Sequence, residues 1–340
     1  MIGRTILMAA SLAAVTGLAS TPVHAETVLK VNIWPHIKHN LVSLVNIRWC
    51  KEVEKATGGE VKCDVPAAPL AAAAGIYDAI TGGVVDFTFI VPGYTPARFR
   101  TSRAAEFPLV GKTATALSIA HWRTHQKYFA KANEYKATKL IATFAHGPGQ
   151  IITKKPISSI GDMKGVKMRT GGGVIREFAR EIGAVVVAVP VTKAYEVLSK
   201  GVADGIFFPP EGTMSFKLVP VLSHYFEVPG GIYNSNFAVN MNRQKWEGLS
   251  AKTKRQIDSV SGEFLVKIAG NQWDERDKQA LKLMKDAGIK TTVASKDDIA
   301  KVRAIGQKLE AAWIKEVGKI GVDGAAALKM IKAEAASLTN

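Results

Sequence analysis

Two stretches of this chain repeat one another, and that repeat constrains the architecture more than any other feature. Ile76-Tyr77-Asp78-Ala79-Ile80 leads to Gly83-Val84, Asp86, Phe89 and Pro92. Ala194-Tyr195-Glu196-Val197-Leu198 leads to Gly201-Val202, Asp204, Phe207 and Pro210, each position 118 residues beyond its counterpart. Both copies read as a short helix, a Gly-Val turn, an aspartate, a short buried strand and a proline. One pair this far apart is no solenoid, whose units recur every ~20–50 residues. It calls instead for two α/β lobes built alike. Tyr195, Asp86 and Asp204 are read as packing and turn residues.

The rest of the chain supplies matching parts. Strands are expected at 29–34, 60–65, 86–91, 140–144, 166–169 and 237–241, and helices at 41–57, 76–81 and 174–183. Helix and strand in alternation imply an α/β fold with a parallel-type sheet. The pattern breaks at His146-Gly147-Pro148-Gly149-Gln150 and again at Pro229-Gly230-Gly231, where the chain could cross between lobes and return. After Ser250 a proline-free helical stretch, 251–285, would be ~50 Å long and could brace both lobes. Gly262 and Gly270 are the places where it could bend or break. Two further helices are expected at 296–317 and 323–337.

Residues 1–25 have the form of an export signal, with Arg4, an apolar run and the small-residue site Val23-His24-Ala25. Cleavage after Ala25 would leave a soluble periplasmic protein. The net charge of +16 could steer anions or favour an anionic surface. No basic run is interleaved with aromatics, which argues against nucleic acid. Export permits a disulfide between the only two cysteines, Cys50 on a helix and Cys63 on the next strand.

Val166-Lys167-Met168-Arg169-Thr170-Gly171-Gly172-Gly173 reads as a buried strand, then a glycine turn into a helix. Arg169 therefore sits where a strand's carboxyl end meets free backbone N–H groups, a setting that favours an anion. Its planar fork can grip a carboxylate through two parallel hydrogen bonds.

Four segments together carry a family resemblance. They are Trp49-Cys50-Lys51-Glu52-Val53-Glu54-Lys55-Ala56-Thr57-Gly58-Gly59, Tyr77-Asp78-Ala79 through Asp86-Phe87-Thr88-Phe89, Ile160-Gly161-Asp162-Met163-Lys164-Gly165-Val166-Lys167-Met168-Arg169, and Tyr195-Glu196-Val197-Leu198 through Gly201-Val202-Ala203-Asp204-Gly205. In this order the chain resembles the DctP-type solute-binding proteins of TRAP transporters across essentially its whole mature length. The resemblance implies a two-lobed periplasmic binding protein fold, type II-like, with hinge strands and a long helix across the back. It implies a monomer without cofactor that closes on an organic acid and delivers it to membrane permease subunits. The lobes are set at 26–148 plus 236–272 and 149–235 plus 273–300, with 301–340 packing back on them. The arginine ending the Lys-Gly-x-x-x-Arg strand, here Arg169, is the family's carboxylate partner.

This chain departs from its relatives where many carry arginine, having Gly149 and Tyr94, and where asparagine is common, having Phe208. Trp34 stands at a position often polar. A pocket less cationic and more aromatic suits a monocarboxylate with an apolar or aromatic body, such as a 2-oxo or 2-hydroxy acid.

The ligand-binding candidates are therefore Arg169, Phe208, Trp34, His36, Tyr94, Asn236, His146, Gln150, Glu211 and Asn234. Trp34, His36 and Phe208 would wall the pocket. The Tyr94 hydroxyl, His146, Gln150 and the two asparagines could bond ligand oxygens, and Glu211 could orient Arg169 or accept a ligand hydroxyl. His121 and His125 have the four-residue spacing of a metal pair, but Trp122 stands where a zinc protease motif needs glutamate. They read as solvent-facing, and no metal site is expected. No Walker loop or nucleophile elbow is present. An enzyme is disfavoured, and a ligand sensor on the same scaffold remains the alternative.

Overall fold

The computed structural model describes residues 26–37 and 39–339, so the export-signal expectation lies outside the described residues. Eleven strands form the framework: β1 (Thr27–Lys30), β2 (Val61–Asp64), β3 (Phe87–Ile90), β4 (Thr138–Ala145), β5 (Gln150–Thr153), β6 (Lys167–Thr170), β7 (Val185–Ala188), β8 (Gly205–Phe208), β9 (His224–Glu227), β10 (Asn236–Asn242) and β11 (Lys290–Val293). The parallel pair β1–β2 meets the sheet β3-β10-β4 through a bridge between Val31 and Phe87. The other sheet runs β11-β9-β5-β8-β6-β7.

The two sheets match. The order β2-β1-β3-β10-β4 corresponds, strand for strand and direction for direction, to β7-β6-β8-β5-β9. The sequence repeat is the core of this correspondence. Helix Ile76–Thr81 and β3 map onto helix Ala194–Ser199 and β8. Gly83 and Gly201 both take left-handed backbone, at φ 74° and 72°, which glycine adopts without a Cβ penalty. Asp86 accepts the backbone N–H of Lys30, and Asp204 that of Lys167, each pinning the neighbouring parallel strand. The tyrosines do not share a role. Tyr77 is buried against Phe99, whereas Tyr195 is 48% exposed, so Tyr195 is not a packing residue.

Neither sheet is parallel throughout, contrary to expectation. The chain leaves the first lobe after β4 and enters the second as β5, antiparallel to β8 and β9. It returns from β9 as β10, antiparallel to β3 and β4. Each crossing donates a strand that opposes its hosts. The crossings fall at 146–149 and 228–235, and they are tied together by a bridge between Gly149 and Tyr233.

The expected brace is broken where glycine permits it. Helix Ala251–Ser259 ends, Gly262 takes φ 55°, and helix Glu263–Asp286 follows. The second piece still spans about 36 Å. Gly270 does not bend it but lets it dock closely. A Cβ there would lie 2.4 Å from the Cα of Thr115, on helix Ala114–Thr124. Asp274 completes this junction by accepting the backbone N–H groups of Ala114 and Thr115. Helix Lys296–Gly318 starts at a Ser295–Asp298 capping box, and helix Gly324–Ser337 at an Asp323 cap.

His121 and His125 are buried, not solvent-facing. Burial lowers their pKa values to about 3 and 4, so both are neutral core residues. No cluster of three metal-ligating side chains occurs among the described residues, and no described helix is long and apolar enough to cross a membrane.

Cys50 and Cys63 are bonded, linking helix Trp49–Ala56 to β2 across a separation of 13 residues. A loop of this length restricts the unfolded chain by roughly 3 kcal/mol. Replacing both cysteines by serine is expected to lower unfolding stability by about 2–4 kcal/mol in urea titration. The six-stranded sheet would be unchanged.

Candidate functional site

Between the lobes lies a narrow cavity of about 50 Å³. Strand ends from both sheets point at it. Trp34, Tyr94, His146, Arg169, Phe208 and Glu211, all expected at a site, line it together.

Arg169 is the third residue of β6, beside Ile206 of β8 and Val187 of β7. Its side chain is 2% exposed. Nε and Nη2 both donate to the carbonyl of Val189, at 3.1 and 2.8 Å. That clamp fixes the plane of the guanidinium, whose carbon stands 5.7 Å from the centroid of the Phe208 ring. Among the described residues no carboxylate comes within ion-pair distance of it. A buried cation without a counter-charge is costly unless an anion reaches it.

Aromatic rings wall the cavity. Trp34 packs against Phe89 at 5.3 Å and Tyr94 at 6.5 Å, and its indole N–H donates to the Phe89 carbonyl. The Tyr94 hydroxyl accepts the backbone N–H of Val191 at 3.2 Å, a bond across the cleft. Phe237 stacks on Trp273 of the long helix at 5.8 Å.

The remaining expectations differ in detail. His146 lines the cavity with its ring only. Its Nε2 accepts the Ser235 N–H and its Nδ1–H donates to the Gly147 carbonyl, so neither nitrogen is left for a ligand. Burial lowers its pKa to about 4. Four candidates do not line the cavity. Gln150 is spent on the N–H and carbonyl of Val228, tying the two crossings together. Asn234 donates to the His146 carbonyl. Asn236 donates to the Ser102 carbonyl and to Glu106. His36 is exposed, with Nε2 3.0 Å from the Ser215 carbonyl. Gln150 and Asn234, beside the crossings, are consumed by backbone groups that the crossings leave unpaired.

Glu211 does not orient Arg169, with which it shares no hydrogen bond or ion pair among the described residues. It is fully buried, accepts the Ser215 hydroxyl at Oε1, and leaves Oε2 unpaired. Burial pushes its carboxyl up to about 7.

Sequence reasoning missed several residues. His39, three positions beyond His36, is the histidine that reaches the cavity, and burial lowers its pKa to about 3. Phe216, Tyr233, Phe237 and Trp273 add walls. Glu106 lies beneath the glycine turn. It accepts the N–H of Val174 at 3.0 Å and the Asn236 amide at 2.8 Å, and burial pushes it up to about 7. It thereby pins the start of helix Val174–Glu181 to the first lobe. The glycine turn is equally tight: a Cβ on Gly172 would lie 2.1 Å from the Gly93 carbonyl oxygen.

Two matched lobes, crossing strands and an interlobe cavity with a buried cation define an extracytoplasmic solute-binding protein. Residues 38–316 match the bacterial extracellular solute-binding protein family 7, DctP, and the chain belongs to that family. A TRAP periplasmic solute-binding protein from Bordetella bronchiseptica, solved with (R)- and (S)-mandelate, is 38% identical. The match covers 92% of this chain and 99% of that one, with a TM-score of 0.89. A marine metagenome TRAP protein specific for aromatic acid ligands, solved with metahydroxyphenylacetate, is 36% identical over the same shares, with a TM-score of 0.84. The outer membrane transporter protein TsaT of Comamonas testosteroni is 29% identical over 336 residues, 98% of each chain.

Proposed function

We propose that the protein is a periplasmic receptor for an aromatic monocarboxylate, which it holds between its lobes and delivers to the membrane subunits of a TRAP permease. The observation that carries this reading is Arg169, a buried guanidinium held in plane by Val189 and lacking any acidic partner among the described residues. A ligand carboxylate supplies the missing charge, and the rings of Trp34, Tyr94, Phe208 and Phe237 take the ligand's apolar body. One cation and an aromatic lining favour a single carboxylate over a dicarboxylate. The bound mandelate and metahydroxyphenylacetate of the two solved relatives support the same class, as does the 2-hydroxy acid nature of mandelate.

The first lobe on this reading comprises 26–148 plus 236–272 and the second 149–235 plus 273–300, with the C-terminal helices packed back on both. Ligand contacts to both lobes make closure a population shift. The protein acts as a monomer, without cofactor or turnover. A thermal-shift panel tests the class. Phenylacetate, mandelate and benzoate should raise Tm, since a ligand bound only to the folded state stabilises it. Succinate should not. A panel in which succinate shifts Tm and the aromatic acids do not would overturn the reading.

A further inference from the structure

The cavity has a second polar end that the carboxylate does not use. Glu211 lines it, is fully buried, and has one oxygen, Oε2, with no partner. Its other oxygen is held by the Ser215 hydroxyl, and its backbone N–H is held by Asp277 of the long helix at 2.8 Å. The side chain is thus positioned, not loose. His39 lines the same cavity and is 2% exposed. Its Nδ1 accepts the Leu41 N–H at 3.1 Å, which leaves the hydrogen on Nε2, and that N–H has no hydrogen-bond partner among the described residues. A buried oxygen without a partner is expensive unless something answers it, and the His39 N–H lines the same cavity.

Arg169 does not answer them. The charged groups that bear on Glu211 are Arg276 and Asp277, and those on His39 are His36 and Arg276. Rings separate the two ends: Arg169 faces Phe208 at 5.7 Å, Phe208 faces Phe216 at 5.9 Å, and Phe216 faces His39 at 5.0 Å.

We propose that Glu211 and His39 form a hydroxyl-reading subsite, which selects aromatic acids carrying a hydroxyl on the part of the ligand remote from the carboxylate. A hydroxyl is the small neutral group that donates to Oε2 and accepts from Nε2–H at once. The phenyl body spans the rings between this pair and Arg169. The proposal rests on the aromatic-monocarboxylate reading and adds to it a specificity that Arg169 cannot supply. A site built to bond a substrate hydroxyl rejects the analogue that lacks it far more strongly than an apolar wall rejects an added group.

Calorimetry with phenylacetate, 3-hydroxyphenylacetate and 4-hydroxyphenylacetate tests it. The unaltered protein is expected to bind one hydroxylated acid at least about tenfold more tightly than phenylacetate. Glu211→Leu should reduce that preference below about threefold, with the larger loss of affinity falling on the hydroxylated acid. His39→Asn keeps an acceptor for the Leu41 N–H and removes the Nε2–H, and it should also cut the preference several-fold. It serves as the test should Glu211→Leu fail to fold. Binding of phenylacetate equal to or tighter than both hydroxylated acids would overturn the subsite and leave the receptor reading standing. So would a full preference retained in folded Glu211→Leu or in His39→Asn. Binding of none of the three acids would overturn both.

Discussion

Arg169→Ala is expected to weaken binding of an aromatic monocarboxylate at least ~30-fold by calorimetry. Truncating one partner of a buried, hydrogen-bonded charge pair costs about 2–5 kcal/mol, and the lower bound of that range corresponds to the stated factor. The loss should be similar for hydroxylated and unhydroxylated acids, because the guanidinium meets only the carboxylate. Arg169→Lys should not rescue it fully. A lysine supplies the charge but not the planar fork that the Val189 carbonyl holds in position. Unchanged affinity in folded Arg169→Ala would remove the arginine from the site.

Gly172→Ala should be the most damaging change of a single methyl group. The new Cβ would lie 2.1 Å from the carbonyl oxygen of Gly93 and 2.9 Å from its carbon, both backbone atoms of the opposing lobe. Neither can step aside as a side-chain tip could. The overlap is felt only when the lobes meet, so it acts on the closed arrangement and reduces affinity by the fraction of competent protein lost. An overpacking cost of about 1–3 kcal/mol translates into roughly a 5- to 150-fold loss. The ligand-free Tm should change little. Gly171→Ala is the control, because its Cβ would meet Tyr94 at 3.5 Å, an ordinary contact. Solution scattering should show the Gly172 variant failing to contract on ligand addition. Equal affinity and contraction in the two variants would refute the idea that this contact limits closure.

The parts of this molecule legible in its sequence were those written in short range. The helix–turn–aspartate–strand unit appears twice because each copy needs the same glycine, the same carboxylate and the same buried strand. Arg169 could be found because a strand end followed by three glycines is a local pattern. What stayed hidden depends on distant partners. His36 and His39 are three residues apart, and only packing against Phe216 decides which is buried. Gln150, Asn234 and Asn236 read as ligand contacts because amides suit oxygen ligands, yet backbone at the crossings occupies the first two, and Ser102 and Glu106 hold the third. Glu106 offered no local signal, since the amide it caps lies 68 residues away. The mixed direction of the sheets was likewise invisible until each crossing strand had found its hosts.

The seating of Gly270 on Thr115 has a mechanical corollary. Two helix backbones that touch without side chains between them cannot slide or roll, and Asp274 rivets the contact. The 24-residue rod is therefore fixed to one half of the molecule. Any swing of the other half must be absorbed by the two short linkers and at the Asp277–Glu211 bond, less than one turn beyond Asp274 on the same rod. In the proposed closure the rod would be the stator and the six-stranded sheet the part that turns.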